Sequence, residues 1–162
     1  MKLEHLVFDF DKFASEMADL KDKKHFDYLV TIVGEDFGAE EGLGCVYILE
    51  NTETHERCSV KMLAKVVDGE SVIPSVINIW KVADLLEREV YDFYGILFLG
   101  HPDMRRLFLR SDFKGFPFRK DWEFTDKYTL EDDVEPDFGM EYWLDNNGRL
   151  CSKQNRLFAD DE

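Results

Sequence analysis

Apolar residues recur at helical spacing near the start of the chain. Phe10, Phe13, Ala14, Met17 and Leu20 are separated by charged positions. This predicts an amphipathic helix with Asp9 or Asp11 as its N-cap. Phe26 to Val33 is dense in β-branched and aromatic residues and predicts a strand. Gly34, Gly38, Gly42 and Gly44 then mark a loop or wide turn. Cys45 to Leu49 predicts a second strand, and the polar run Glu50 to Glu56 a turn. From Cys58 to Val66 apolar and polar residues alternate, the pattern of a half-buried antiparallel strand. Asp68-Gly69 turns the chain, and Val72-Ile73 makes a short fourth strand ended by Pro74.

Ala83, Leu86, Val90 and Phe93 form a second apolar stripe. It predicts a helix over Trp80–Tyr94, capped by Ser75 or Asn78 and stopped by Gly95 in the left-handed conformation. On it Asp84, Arg88 and Asp92 stand four residues apart, the spacing of ion pairs along a helix, with Asp84–Arg88 the favourable orientation. Beyond a turn at Gly100-His101-Pro102 comes a basic strand with Arg105 and Arg106, then a second basic cluster at Arg119-Lys120.

The order helix, strands, helix predicts an α+β fold over residues 1–110: a two-layer domain with a small, mainly antiparallel sheet packed by two helices. Residues 111–162 show little periodicity, an acidic run from Glu131 to Glu135, and large aromatics including Trp122, Phe138 and Trp143. They are expected to form an extended tail used for subunit docking.

Composition narrows the classes. The chain has 162 residues, 44% of them hydrophobic, with 14 Phe, enough to pack a core. Its net charge of −15 argues against a nucleic-acid partner, since phosphates are repelled. The charge is uneven: residues 1–80 carry −8, residues 81–120 carry +2, and residues 121–162 carry −9. Only the middle block is basic, which suggests a different partner for it. No apolar run approaches the roughly 20 residues that span a bilayer, and the N-terminus lacks a signal-peptide pattern. Cys45, Cys58 and Cys151 are widely spaced and no CxxC occurs. A metal or iron–sulfur site is therefore not expected, and a reducing cytosolic setting fits.

Candidate chemistry concentrates between Leu85 and Asp121. Glu87 and Glu89 could supply a general acid and base, but residues two apart on a helix do not face each other. His101 stands alone before a proline, a position suited to hydrogen bonding in a turn. Arg105, Arg106, Arg119 and Lys120 could gather an anion, but no glycine-rich cradle accompanies them. No GxSxG, P-loop or GxGxxG occurs. Arginines beside many aromatics fit a protein interface, where carboxylate partners fix register. A free-standing hydrolase or transferase using Glu87, Glu89 or His101 is the competing class.

The run Glu87-Arg88-Glu89-Val90-Tyr91-Asp92-Phe93-Tyr94-Gly95-Ile96, followed by Gly100-His101-Pro102-Asp103-Met104-Arg105-Arg106, resembles a family signature. It is that of the 30 kDa subunit family of respiratory complex I, the C-type subunits of NADH:quinone oxidoreductase. Gly115-Phe116-Pro117-Phe118-Arg119-Lys120-Asp121 is similar to that family's Gly-x-Pro-Leu-Arg-Lys-Asp ending, with Phe118 in place of Leu. Ile73-Pro74-Ser75-Val76 and Ile79-Trp80 match its approach to the signature helix, although Leu86 stands where many members have Trp. The resemblance implies a non-catalytic structural subunit of the peripheral arm with no redox cofactor of its own. The parent complex would use FMN, iron–sulfur clusters, NADH and quinone. The implied partners are the large hydrogenase-related (49 kDa-type) subunit and the adjacent iron–sulfur subunit. Membrane contact would come only through the complex, at the cytoplasmic face of the inner membrane. Glu87, Arg88, Glu89, Asp92, Gly95, His101, Pro102, Arg105, Arg106, Pro117, Arg119, Lys120 and Asp121 are the expected interface residues. Some relatives serve membrane-bound nickel–iron hydrogenases or related energy-conserving complexes, the alternative assignment.

Overall fold

The structure is a computed structural model, and it describes residues 5–123 and the strands Tyr142–Leu144 and Leu150–Ser152. The chain divides into two units, one comprising Met1–Leu109 with Lys114–Glu123 and the other Arg110–Phe113 with Phe124–Glu162. Most of the expected docking tail lies outside the described residues.

The first unit is built on a four-stranded sheet. Its strands are β1 (His5–Val7), β2 (Tyr28–Asp36), β3 (Leu43–Glu50) and β4 (Arg57–Leu63), in the order β1-β4-β3-β2. The β2–β3 and β3–β4 pairs are antiparallel hairpins, and β1 lies parallel to β4. A second sheet holds β5 (Lys65–Val67), β6 (Glu70–Pro74) and β7 (Leu97–Leu99) in that order, with β6 and β7 parallel. Helices α1 (Phe13–Asp22) and α2 (Ala83–Tyr94) complete the α+β domain.

One apolar core joins these layers. Alternation along β3 sends Cys45, Tyr47 and Leu49 into it, and Val60 and Met62 follow from β4. Helix α1 contributes Phe13, Met17 and Leu20, spaced as one helical face, and the Phe13 and Tyr47 rings lie 5.2 Å apart. Ala14, expected on that face, is exposed. In β2 the core residues are Leu29 and Ile32, three apart, where period two demands an even spacing. The register against β3 shifts between Leu29 and Thr31, and this bulge at Val30 restores the inward phase.

Several sequence expectations are corrected. Neither Asp9 nor Asp11 caps α1 through its side chain; Lys12 is the N-cap residue, and the backbone N–H groups of Lys12 and Phe13 bond to the carbonyls of Asp9 and Phe10. Strand β2 does not stop at Val33 but runs through Gly34 to Asp36, so the loop is shorter than its glycines suggest. Gly34 is there for contact: a Cβ would meet the Tyr94 ring at 2.5 Å. The alternation from Cys58 to Val66 belongs to two strands in different sheets, parted at Ala64, whose N–H still bonds the Leu43 carbonyl. Helix α2 begins at Ala83 rather than Trp80, with turns before it and no side-chain cap. Ser75 turns its hydroxyl to Glu87 instead.

The segment carrying Arg105 and Arg106 is not a strand but a succession of bends and turns. Within the second unit, Arg110 forms a bidentate pair with Asp112 at 2.9 and 3.1 Å, and Tyr142–Leu144 and Leu150–Ser152 pair antiparallel as β8 and β9.

Candidate subunit interface

Helix α2 organises the signature block through two carboxylates that it buries. Ala83, Glu87 and Val90 fall on its inward face, with Asp92 near its end. Both Glu87 and Asp92 are fully buried. Buried carboxylates need partners, and each has found them locally.

Glu87 accepts hydrogen bonds from the Ser75 hydroxyl at 2.7 Å and the Val76 N–H at 2.7 Å. It thereby ties the helix to the end of β6. Burial outweighs these donors and pushes its pKa up to about 7. The same burial raises the neighbouring Cys45 thiol and Tyr47 phenol well above their ordinary values.

Asp92 is held more fully. One carboxylate oxygen accepts the N–H groups of Leu107, Phe108 and Leu109 at 3.1, 2.6 and 2.8 Å. The other accepts the Arg106 guanidinium at 3.0 Å. Burial alone would raise this carboxyl, but the three N–H donors and Arg106 together hold it below the ordinary aspartate value. Arg106 also reaches the carbonyls of Asp92 at 2.9 Å and Gly115 at 2.8 Å. Asp92 therefore gathers a segment without regular structure onto the end of the helix.

Arg88 does not pair with Asp84; its guanidinium donates to the carbonyls of Arg105 at 3.2 Å and Arg106 at 3.1 Å. His101 has a fully buried side chain. Its Nδ1 accepts the Asp103 N–H at 3.0 Å, so Nε2 carries the proton and faces the Asp84 carbonyl at 3.2 Å. Both ring nitrogens are thus engaged in holding the turn.

Gly95 ends α2 at φ 70°, as the sequence predicts, and its N–H bonds the Tyr91 carbonyl at 2.8 Å. A Cβ there would also strike the Phe116 ring. Arg106 and Arg119 both lie over that ring, at 5.1 and 4.9 Å from its centroid. The terminal carbonyls of α2 are taken by Arg119, which donates to Tyr94 at 2.6 Å, and by the Phe118 N–H, which donates to Phe93 at 3.2 Å. The Lys120 N–H bonds the Asp36 carboxylate at 2.8 Å.

Of the expected interface residues, Glu89, Pro102, Arg105, Lys120 and Asp121 are exposed, and Pro117 is half-buried. Arg105 pairs with Asp103 at 2.9 Å. Arg88, Arg106, Arg119, Glu87, Asp92 and His101 bond within the chain. The residues that sequence reasoning missed are aromatic. Phe93 stacks on Phe118 at 4.5 Å and on Phe108 at 5.9 Å, and these two outer rings remain 56% and 65% exposed. The only signal for them in the sequence is the density of Phe between residues 108 and 118. Among the described residues no group of His, Cys, Asp and Glu could hold a metal ion, and no helix is long and apolar enough to cross a membrane.

Known proteins are similar to this chain in sequence and in fold. Residues 6–128 match the family described as the respiratory-chain NADH dehydrogenase, 30 Kd subunit. The NADH-quinone oxidoreductase C/D subunit of Phocaeicola vulgatus is 42% identical over 161 residues, covering 98% of this chain and 30% of that protein. The chain thus spans under a third of the C/D relatives it matches. The NADH-quinone oxidoreductase C subunit of Chlorobium phaeobacteroides is 40% identical, covering 75% of this chain and 74% of its own. Among solved structures, a trypsin-resistant fragment of Nqo5 is 34% identical with a TM-score of 0.54, covering 60% of this chain and 79% of its own. A chain of the membrane-bound sulfane sulfur reductase, an archaeal respiratory membrane complex, is 25% identical with a TM-score of 0.67, covering 85% of each. The chain belongs to the respiratory-chain NADH dehydrogenase 30 kDa subunit family.

Proposed function

We propose that the chain is a non-catalytic structural subunit in the peripheral arm of a complex I-type NADH:quinone oxidoreductase. It supports electron transfer from NADH to quinone by holding its neighbours in place. The observation that carries this reading is the anchoring of residues 105–109 and 114–120. They are pinned to α2 by Asp92, Arg88 and Arg119, yet leave Phe108 and Phe118 uncovered. Exposed aromatics on a fixed frame are the material of interface anchors. The partners are the large hydrogenase-related subunit and the adjacent iron–sulfur subunit, and the chain meets the membrane through them. FMN, iron–sulfur clusters and quinone belong to those other chains. The C-type relatives, at 40–43% identity, favour this reading over a hydrogenase-type complex.

Affinity purification of the tagged chain from membranes of its host, followed by identification of the proteins recovered with it, tests it. Recovery of a large subunit without nickel-ligand cysteine motifs, together with an iron–sulfur subunit, is expected. Recovery of the chain alone, or of a large subunit with nickel-ligand cysteines, would overturn it.

A further inference from the structure

Among the described residues, β2 is an outer strand that pairs only with β3. Every second residue of such a strand turns its N–H and C=O away from the sheet. Along β2 lies a cavity of about 180 Å³, lined by Thr31 and Val33 of the strand, Glu89, Val90 and Phe93 of α2, and Phe118. Val33 is 48% exposed and Phe118 56%, so apolar surface lies beside a strand edge.

Charge defines what fits there. Glu89 is exposed and has no ion pair or hydrogen bond among the described residues. Glu35 is also exposed, and it lies close enough to Tyr94 to help raise the phenol's pKa, second to burial. Asp36 is already taken by the N–H groups of Gly38 and Lys120. The groove is thus apolar at its centre, with the acidic Glu89 in its lining.

We propose that this groove receives an extended segment of the large partner subunit, which adds a strand to β2. The segment sets an apolar side chain between Val33 and Phe118 and a Lys or Arg on Glu89. This rests on the functional reading above, in which the large subunit is one of the partners of this chain. A strand needs about 4.8 Å beside β2, against about 10 Å for a helix with its side chains. Strand addition also satisfies the outward peptide groups. A second copy of this chain would bring Glu35 and Glu89 against like charges on a molecule of net −15. Residues 124–162 hold eleven acids and four bases and meet the same repulsion.

The test uses the assembled complex. The photocrosslinking residue p-benzoylphenylalanine is placed at Val33 and, separately, at Phe118, and the tagged chain is purified from host membranes after irradiation. Both positions are expected to label one short segment of the large subunit that carries a basic residue. Glu89→Lys is expected to lower recovery of that subunit at least tenfold without shifting the Tm of the chain. Suppose instead that the large subunit is recovered in full while both positions label nothing, a second copy, or residues 124–162. The groove assignment then fails and the functional reading stands. If the unsubstituted chain captures no large subunit, both fail.

Discussion

Asp92 and Arg106, fourteen residues apart in sequence, form a buried ion pair at 3.0 Å that fastens the loop after α2 to the helix from which it departs. The aspartate takes three consecutive backbone N–H groups as well, so the pair is one corner of a network. A buried charge whose partner is removed is costly.

Arg106→Ala should therefore destabilise the domain by about 3 kcal/mol, because it leaves Asp92 charged, buried and short of its cation. Asp92→Asn should cost a similar amount by weakening the acceptor of three N–H groups. The double variant should lose less than the sum of the two, since the groups share one network. Urea unfolding of the four proteins measures this. Additive losses would show that the pair is not coupled. Arg106, expected from the sequence at the subunit interface, thus also bonds within the chain.

Glu87 makes stability depend on pH in an unusual direction. Its folded pKa, about 7, lies above the ordinary glutamate value of 4.5. The native state thus binds this proton more tightly than the unfolded chain. The resulting stability is present in full below pH 4.5 and is lost as pH rises through about 7, a change of about 3 kcal/mol. Glu87→Gln should flatten the stability profile between about pH 5 and 7.5. Asp92 and Asp36, whose values are lowered, act oppositely and at more acidic pH. Thermal unfolding across that range, for both proteins, checks the slope.

Gly95→Ala should cost about 2 kcal/mol or more, combining a left-handed backbone with collision against Phe116. Adding Phe116→Ala should relieve the collision but not the backbone strain. If Phe116→Ala gives no relief at all in the double variant, the contact is not the source of the cost.

Phe118→Ser should leave stability nearly unchanged, within about 1 kcal/mol, because over half of the side chain is already exposed. It should nevertheless reduce recovery of partner subunits. Denaturant midpoints and pull-down yields, measured on the same preparations, separate the two effects.

The core was legible where one period governs. Alternation in β3 and the helical spacing of Phe13, Met17 and Leu20 identify buried residues directly. It failed where an interruption changes phase, as at the Val30 bulge, or where one alternating run crosses between sheets, as at Ala64. The short strands β1 and β7 have three residues each, too few to show a period, and both depend on parallel partners distant in sequence. The block from Leu85 to Asp121 was found from its residues, but the bonds they make within the chain were not. Charge suggested outward arginines; burial instead turns Arg106 and Arg119 onto the helix end, because its carbonyls and Asp92 need donors. The clue was present in the position of Glu87, on the stripe with Ala83 and Val90, where a polar residue implies a bonded one.

The three N–H groups of Leu107, Phe108 and Leu109 converge on a single carboxylate. A loop held in this way keeps one backbone shape before it meets anything. Docking then incurs little loss of conformational entropy on this side of the contact. Phe108, carried on that loop, is thus preorganised for the proposed docking, and the free protein would keep that surface ready between synthesis and assembly.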